Sequence, residues 1–334
     1  MLARHTRIIH PSRVEIDTPL LVPSFSSKGF RFDDKGKSEI VDALEVTSEV
    51  LTESMLISAY DIFHKHISKK CLVADLTFVD SGGYEVSDDH DFSAVYRHKC
   101  PTRGWKEGWL RKVLDRWPKR FPCAVISYDH PRDRRSLSQQ IASARALFAR
   151  YPTQLHDFLL KPERPGFQGL GDVLRKLEGD VQAIKEFHIV GMTEKELGGS
   201  MLDRMESVAR LRLAMDAAAI QTPLHIFGSL DPLSCCLYFL AGADVFDGLT
   251  WLRYSFLEGT AIYQHNYGAL HIGVHEGDGL VLARALVDNI YYLRELQLNM
   301  RDFLLDLKFE RFGPHAEILR KAYDKLRTRL GGKV

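Results

Sequence analysis

The chain has 334 residues, 45% hydrophobic and 27% charged, with 45 Lys+Arg against 44 Asp+Glu and a net charge of +1. These proportions exclude a disordered tail, a collagen-like chain and a coiled-coil rod, and a chain this long buries a large core without disulfide or metal staples. With so little net charge, any signal for a polyanionic partner has to be local. The five cysteines, Cys71, Cys100, Cys123, Cys235 and Cys236, form no CxxC or CxC pair. Reduced thiols in a cytoplasm are expected, with no zinc knuckle and no disulfide framework. Residues 1–17 hold no apolar run of signal-peptide type and no run of 18 apolar residues follows, so a cytoplasmic protein without a membrane span is expected.

In chain order, short apolar, β-rich runs over 76–79, 123–128, 158–160, 187–190, 224–227 and 244–246 stop at Asp80, Asp129, Lys161, Gly191, Gly228 and Asp247. They read as buried strands. Between and after them lie helical stretches over 58–70, 136–151, 202–219, 232–241, 279–297 and 314–330. The second opens at Ser136 and carries Leu137, Ile141, Ala144 and Phe148 on one face. Strands alternating with helices on one continuous chain predict an α/β fold, a (β/α)8 TIM barrel over 1–300 with a C-terminal helical extension over 301–334. A doubly wound sheet is the alternative, but no GxGxxG follows any strand.

Residues that end barrel strands meet at one mouth. Here they include three carboxylates, Asp80, Asp129 and Asp247, together with Lys161. A single Asp after a strand is ordinarily a helix cap or a turn former; three on separate strands converge. Paired carboxylates suit chemistry at an anomeric carbon, one as nucleophile and the other handling the proton of the leaving group. A third suits a purine edge that presents N–H donors.

Three blocks carry a family likeness: Thr18-Pro19-Leu20-Leu21-Val22-Pro23; Asp80-Ser81-Gly82-Gly83-Tyr84-Glu85-Val86; and Phe246-Asp247-Gly248-Leu249, with Arg253 and Glu258-Gly259-Thr260 behind it. In order and spacing they resemble the tRNA-guanine transglycosylase family, which exchanges a guanine in nucleic acid for a 7-deazaguanine on a (β/α)8 barrel. The likeness spans about residues 18–260. It implies that Asp247 is the nucleophile on C1′ and Asp80 the general acid/base. It further implies that Tyr84 stacks on the base, Ser81 lines the pocket, Asp129 accepts from the purine N1–H and amino group, and Gly191 and Gly228 offer backbone groups to the base. Arg253 is implied to contact the phosphate backbone, and no cofactor is needed.

Two departures stand out. Lys161 occupies a position where the family usually has glutamine; a lysine donates and cannot accept, which suits a carbonyl or nitrile acceptor on the incoming base. The family's C-terminal CxCxxC…His zinc motif is absent, and no cysteine follows Asp247. In this the chain resembles divergent members that insert 7-deazaguanines into DNA. The expected partners are therefore a nucleic acid, DNA ahead of tRNA, and a 7-deazaguanine base, with room for helper proteins and a homodimer.

Residues 97–120 hold nine Lys/Arg against Glu107 and Asp115, and three of the chain's four tryptophans, Trp105, Trp109 and Trp117. Lys106, Arg111 and Arg116 are candidate phosphate contacts in a basic, aromatic stripe. The same spacing also fits a solvated helix with its tryptophans turned inward. His64-Lys65-His66 on a helix, and His265, His271 and His275, read as packing or surface histidines rather than metal ligands, so no metal is expected. Besides the transglycosylase, a catalytically silent partner subunit and a barrel glycosidase or metal hydrolase remain competing readings.

Overall fold

A computed structural model describes residues 1–34, 36–68, 71–88, 90–93, 103–164 and 169–332. A hairpin of β1 (Arg7–Ile9) and β2 (Glu15–Asp17) precedes eight strands: β3 (Leu20–Phe25), β4 (Ser54–Ser58), β5 (Leu76–Asp80), β6 (Cys123–Ile126), β7 (Leu155–Leu160), β8 (Ile189–Thr193), β9 (Leu224–Phe227) and β10 (Val245–Gly248). Each pairs in parallel with the next, and β10 pairs with β3 to close the barrel. The intervening helices are α1 (Ile40–Thr47), α2 (Ala59–Phe63), α3 (Gly83–Val86), α4 (Glu107–Leu114), α5 (Leu137–Phe148), α6 (Leu170–Gly179), α7 (Met201–Ala217) and α8 (Pro232–Leu240). After β10 come α9 (Thr250–Arg253), the hairpin β11 (Ser255–Leu257) and β12 (Thr260–Ile262), α10 (Gln264–His271), α11 (Asp278–Asp306) and α12 (Ala316–Arg329). The fold is thus the expected (β/α)8 barrel. Among the described residues no helix is long and apolar enough to cross a membrane.

Local chemistry sets the helix starts. Ser136 and Gln139 form a reciprocal capping box on α5, and Ser200 and Asp203 do the same on α7. Asp231 accepts from the Ser234 N–H at 3.0 Å, with Pro232 in the first turn of α8. Of the boundaries that differ from those read in the sequence, three bear on the site or on the division of the chain. The stretch 58–70 is no single helix: β4 ends at Ser58, whose hydroxyl caps α2, and the chain leaves the helix before Lys65, which has φ 64°. Strand β8 runs through Gly191 to Thr193, so Gly191 lies inside the strand. Helix α11 continues to Asp306 because Leu296, Met300 and Phe303 prolong its buried face, so a domain boundary at 300 would cut a helix. Gln297 on α11 also accepts from the Leu21 N–H at 2.9 Å, tying this helix to β3.

Along the barrel strands alternate side chains point inward. Leu20, Leu76, Leu155, Ile189 and Val245 fill the N-terminal end, where Ile8 and Ile16 of the β1–β2 hairpin join them as a plug. Intercalated outward residues such as Val79, Val190 and Phe246 pack under the helices in the larger outer core. The same parity points Asp80 and Asp247 into the mouth.

One buried ion pair fastens the closing strands. Arg212 of α7 bonds Asp244 and donates from Nε to the Gly242 carbonyl at 3.0 Å. Asp244 in turn accepts from the Leu224 N–H at 2.8 Å, while its carbonyl accepts from the Leu20 N–H at 2.8 Å. Both side chains are fully buried. Arg212→Met should therefore leave an uncompensated carboxylate and cost about 3–5 kcal/mol, seen as a lower urea midpoint. A wild-type midpoint would show that the pair contributes little to closure.

Candidate active site

The C-terminal mouth holds a cavity of about 150 Å³. Asp80, Ser81, Tyr84, Asp129, Lys161, Gly228 and Asp247 all line it, so most of the residues singled out in the sequence come together. Gly191, Arg253, Lys106, Arg111 and Arg116 are not among its walls.

Asp247 is buried and held from three sides. The Ser24 hydroxyl donates to Oδ2 at 2.6 Å, the Gly228 N–H donates to Oδ1 at 3.2 Å, and His225 Nε2 lies 3.3 Å from Oδ1. Asp80 accepts from the Gly82 N–H at 3.0 Å. Burial, with Asp247 and Asp129 nearby, raises its carboxyl to about 6, against the opposing pull of the Gly82 and Ser81 N–H groups. The glycines beside it have steric reasons. Gly82 has φ 86°, and a Cβ there would meet the Trp105 indole at 2.7 Å. A Cβ on Gly83 would meet the Asp129 carbonyl at 2.5 Å. The pair lets the turn after β5 fold flat between Trp105 and Asp129.

Beneath Asp247 lies a pair that sequence reading missed. Asp157 Oδ2 is 2.7 Å from His225 Nδ1, and both side chains are fully buried in the barrel. Burial works to lower the imidazole, but Asp157 and Asp247 outweigh it and raise it to about 9. Inward parity could have exposed the pair: Asp157 lies two residues before Leu159, and His225 two before Phe227. Gly191, expected to offer a backbone group to the base, instead sits beside this pair. A Cβ there would lie 2.2 Å from the Phe227 ring and 3.2 Å from Asp157 Oδ1.

On the opposite wall Asp129 is engaged rather than free. Lys161 Nζ is 3.5 Å from Asp129 and 3.1 Å from Glu196, and Arg134 lies 3.4 Å from Asp129 and 3.2 Å from Glu196. Two cations and two carboxylates thus alternate around one end of the cavity. Burial would lower the Lys161 ammonium, but Asp129 and Glu196 hold it above its ordinary value. Two further wall carboxyls went unread in the sequence. Burial and the neighbouring Asp61 and Asp80 push Glu85 to about 8. Burial pushes Glu194 to about 7 despite the Tyr238 hydroxyl, which donates to it at 2.9 Å.

Tyr84 lies under the Lys28 ammonium, 4.2 Å from its ring centre, and its hydroxyl is 3.3 Å from Asp91. Arg253, expected at a phosphate, is instead 11% exposed and pairs with Asp91 at 2.6 Å, which directs its guanidinium into the protein. The tryptophans of the basic stripe are also turned inward. Trp105 donates to the Ser81 carbonyl at 2.8 Å, Trp117 to the Phe121 carbonyl at 2.9 Å, and Trp109 stacks on Phe63 at 5.0 Å. Trp105 and Trp117 are buried and Trp109 is half-buried, so among the described residues these three rings serve the core rather than display a stacking face. Lys106 and Arg116 are exposed, and Arg111 faces Glu107 at 3.8 Å. Residues 97–102 of the stripe, with Cys100, lie outside the described residues.

His66 pairs with Asp61 at 3.0 Å, and His64 packs on Tyr60. His265, His271 and His275 are exposed. Among the described residues no three His, Cys, Asp or Glu side chains converge on a metal position. The chain matches no known family model and no curated protein.

Gly191→Ala should displace Phe227 or Asp157, costing about 1–3 kcal/mol from overpacking. A thermal melt identical to the wild type would mean that the Phe227 ring yields without strain.

Proposed function

We propose that the chain is a base-exchange transglycosylase that replaces a guanine in nucleic acid with a 7-deazaguanine, through a covalent glycosyl-aspartate. One observation carries the reading: Asp80 and Asp247 enter a single cavity from β5 and β10 in contrasting surroundings. Asp247 is fixed by hydrogen bonds from the Ser24 hydroxyl and the Gly228 N–H, as a nucleophile has to be. Asp80 titrates at about 6, where a group can both give and take a proton near neutrality.

In this mechanism the target guanosine leaves its stack and enters the mouth. Asp247 attacks C1′ while Asp80 delivers its proton to the departing guanine. The incoming base then loses its N9 proton to Asp80 and takes C1′ from Asp247. Two inversions retain the β configuration, and no cofactor takes part. Tyr84 offers an aromatic face in the cavity wall. Asp129 accepts from the N1–H and amino edge, which requires the base to compete with Lys161 and Arg134. Lys161, released in part from Asp129, can donate to an acceptor on the base. DNA is placed ahead of tRNA because the family's zinc motif has no counterpart here.

Labelled guanine offered with guanine-containing DNA or with tRNA tests the reading directly. Label should enter DNA with the wild type and neither polymer with Asp247→Asn, an amide being a very poor nucleophile. Label in tRNA alone would reverse the polymer, and a trapped glycosyl adduct on Asp247→Asn would remove Asp247 as nucleophile.

The two half-reactions should depend on pH in opposite senses. Expulsion of guanine requires the Asp80 acid form and should fall through a midpoint of about 6, whereas uptake of base requires its carboxylate and should rise through a lower midpoint, because Asp247 is then an uncharged ester and no longer raises Asp80. Single-turnover rates of each half-reaction check this. A limb near that pH that survives in Asp80→Asn would transfer the role to another wall carboxyl, with Glu194 first in line.

A further inference from the structure

We propose that the Asp157–His225 pair beneath Asp247 governs the second half of the reaction, making Asp247 a better leaving group so that the glycosyl-aspartate does not accumulate. This rests on the base-exchange reading and deepens it.

The geometry favours a positive charge at this place. His225 presents Nδ1 to Asp157 at 2.7 Å and Nε2 to Asp247 at 3.3 Å. Nδ1 is hydrogen-bonded to Asp157, and Nε2 makes no hydrogen bond but lies within ion-pair distance of the Asp247 carboxylate, so two carboxylates flank the ring and favour the imidazolium. Its elevated proton affinity agrees. The surroundings are otherwise apolar: Phe78 meets the ring edge-on at 5.5 Å and Phe227 lies 3.8 Å away, centre to centre. A buried ionic group of this kind is commonly no more stabilising than apolar packing would be, so stability alone does not account for it. Full burial also keeps His225 from touching the substrate, and it acts only through Asp247. It is a positioning residue.

The effect follows from the charge on Asp247 at each stage. In the free enzyme Asp247 is a carboxylate facing a cation. In the intermediate it is an uncharged ester, and the same cation is matched by Asp157 alone. The imidazolium therefore favours the carboxylate over the ester. In the second step the C1′–O bond to Asp247 breaks and its electron pair returns to the carboxylate. The new C1′–N9 bond forms, and the N9 proton passes to Asp80. Negative charge grows on Asp247 throughout, next to a cation that burial and Asp157 hold in place. The first step runs against the same cation, and there Asp80 assists by protonating the leaving base.

His225→Gln keeps a polar side chain of similar length and removes the charge; Asp157→Asn removes the partner that holds the charge in place. Each variant is allowed to form adduct on guanine-containing DNA or tRNA, then chased with labelled guanine, with the adducted fraction followed by intact-mass spectrometry. Adduct formation should proceed at or above the wild-type rate in His225→Gln, and its decay in the chase should slow by about tenfold or more. The adducted fraction in steady state should rise accordingly. Asp157→Asn should move both readouts the same way by a smaller factor, and it decides the matter if His225→Gln does not fold. A purely structural role would lower both half-reactions together and leave their ratio unchanged, and that outcome overturns the inference. So does decay at the wild-type rate. A wild-type chain that forms no adduct on either polymer overturns the base-exchange reading and this inference with it, whereas wild-type adduct with an unchanged ratio in the variants overturns this inference alone.

Discussion

Asp247 owes its surroundings to barrel closure. Strand β10 is the last of eight and pairs with the first, β3, through Val245–Leu20 to Gly248–Pro23, and with β9 through Val245–His225 and Phe246–Ile226. Those two registers bring Ser24 to one side of the Asp247 carboxylate and His225 and Gly228 to the other. A slip of one residue in either ladder would turn the whole set from the interior to the helix side. The buried Arg212–Asp244 pair lies at the start of this same strand and joins β9, β10 and β3 where the register is decided. The geometry at the mouth thus depends on a clamp at the far end of the strand.

The mouth gathers more acid than its size would suggest. Asp80, Glu85, Asp129, Glu194, Glu196 and Asp247 line one cavity. Repulsion among them is relieved in two ways. On one side cations are interposed, Lys161 and Arg134 between Asp129 and Glu196, and His225 between Asp157 and Asp247. On the other, burial keeps protons on carboxyls, at about 6 for Asp80 and about 8 for Glu85. Under the proposed base exchange this division would let one carboxyl trade a proton while another stays an acceptor.

The loop carrying Asp91 and Ser93 is drawn to the mouth by Arg253, and Lys28 donates to the Tyr84 and Ser87 carbonyls at 2.7 Å from the β3 side. These two cations hold the segment around Tyr84, and Trp105 fills the space that Gly82 leaves open. Arg253, Trp105 and Trp117 are thus scaffold around the cavity mouth and the neighbouring core rather than an exposed binding face.

The sequence by itself determined the architecture and the two carboxylates. Apolar runs ending in polar residues are a local property, and six of the eight barrel strands were visible that way. The strands β3 and β4 were not, because Pro23 and the serines Ser24, Ser54 and Ser58 interrupt their apolar pattern; Ser24 faces the mouth and Ser58 caps α2, roles that only the closed barrel makes useful. Asp80 and Asp247 stood out because they terminate strands. Tertiary structure alone decided the rest. Whether Trp105 and Trp109 face solvent or core depends on the Phe63 and Tyr60 rings that meet them. Whether Arg253 is free depends on Asp91, 162 positions away in sequence. Asp157, His225 and Gly191 acquire meaning only when β7, β8 and β9 lie side by side, since the strength of a buried charge depends on partners within a few ångströms, and sequence spacing does not specify those distances.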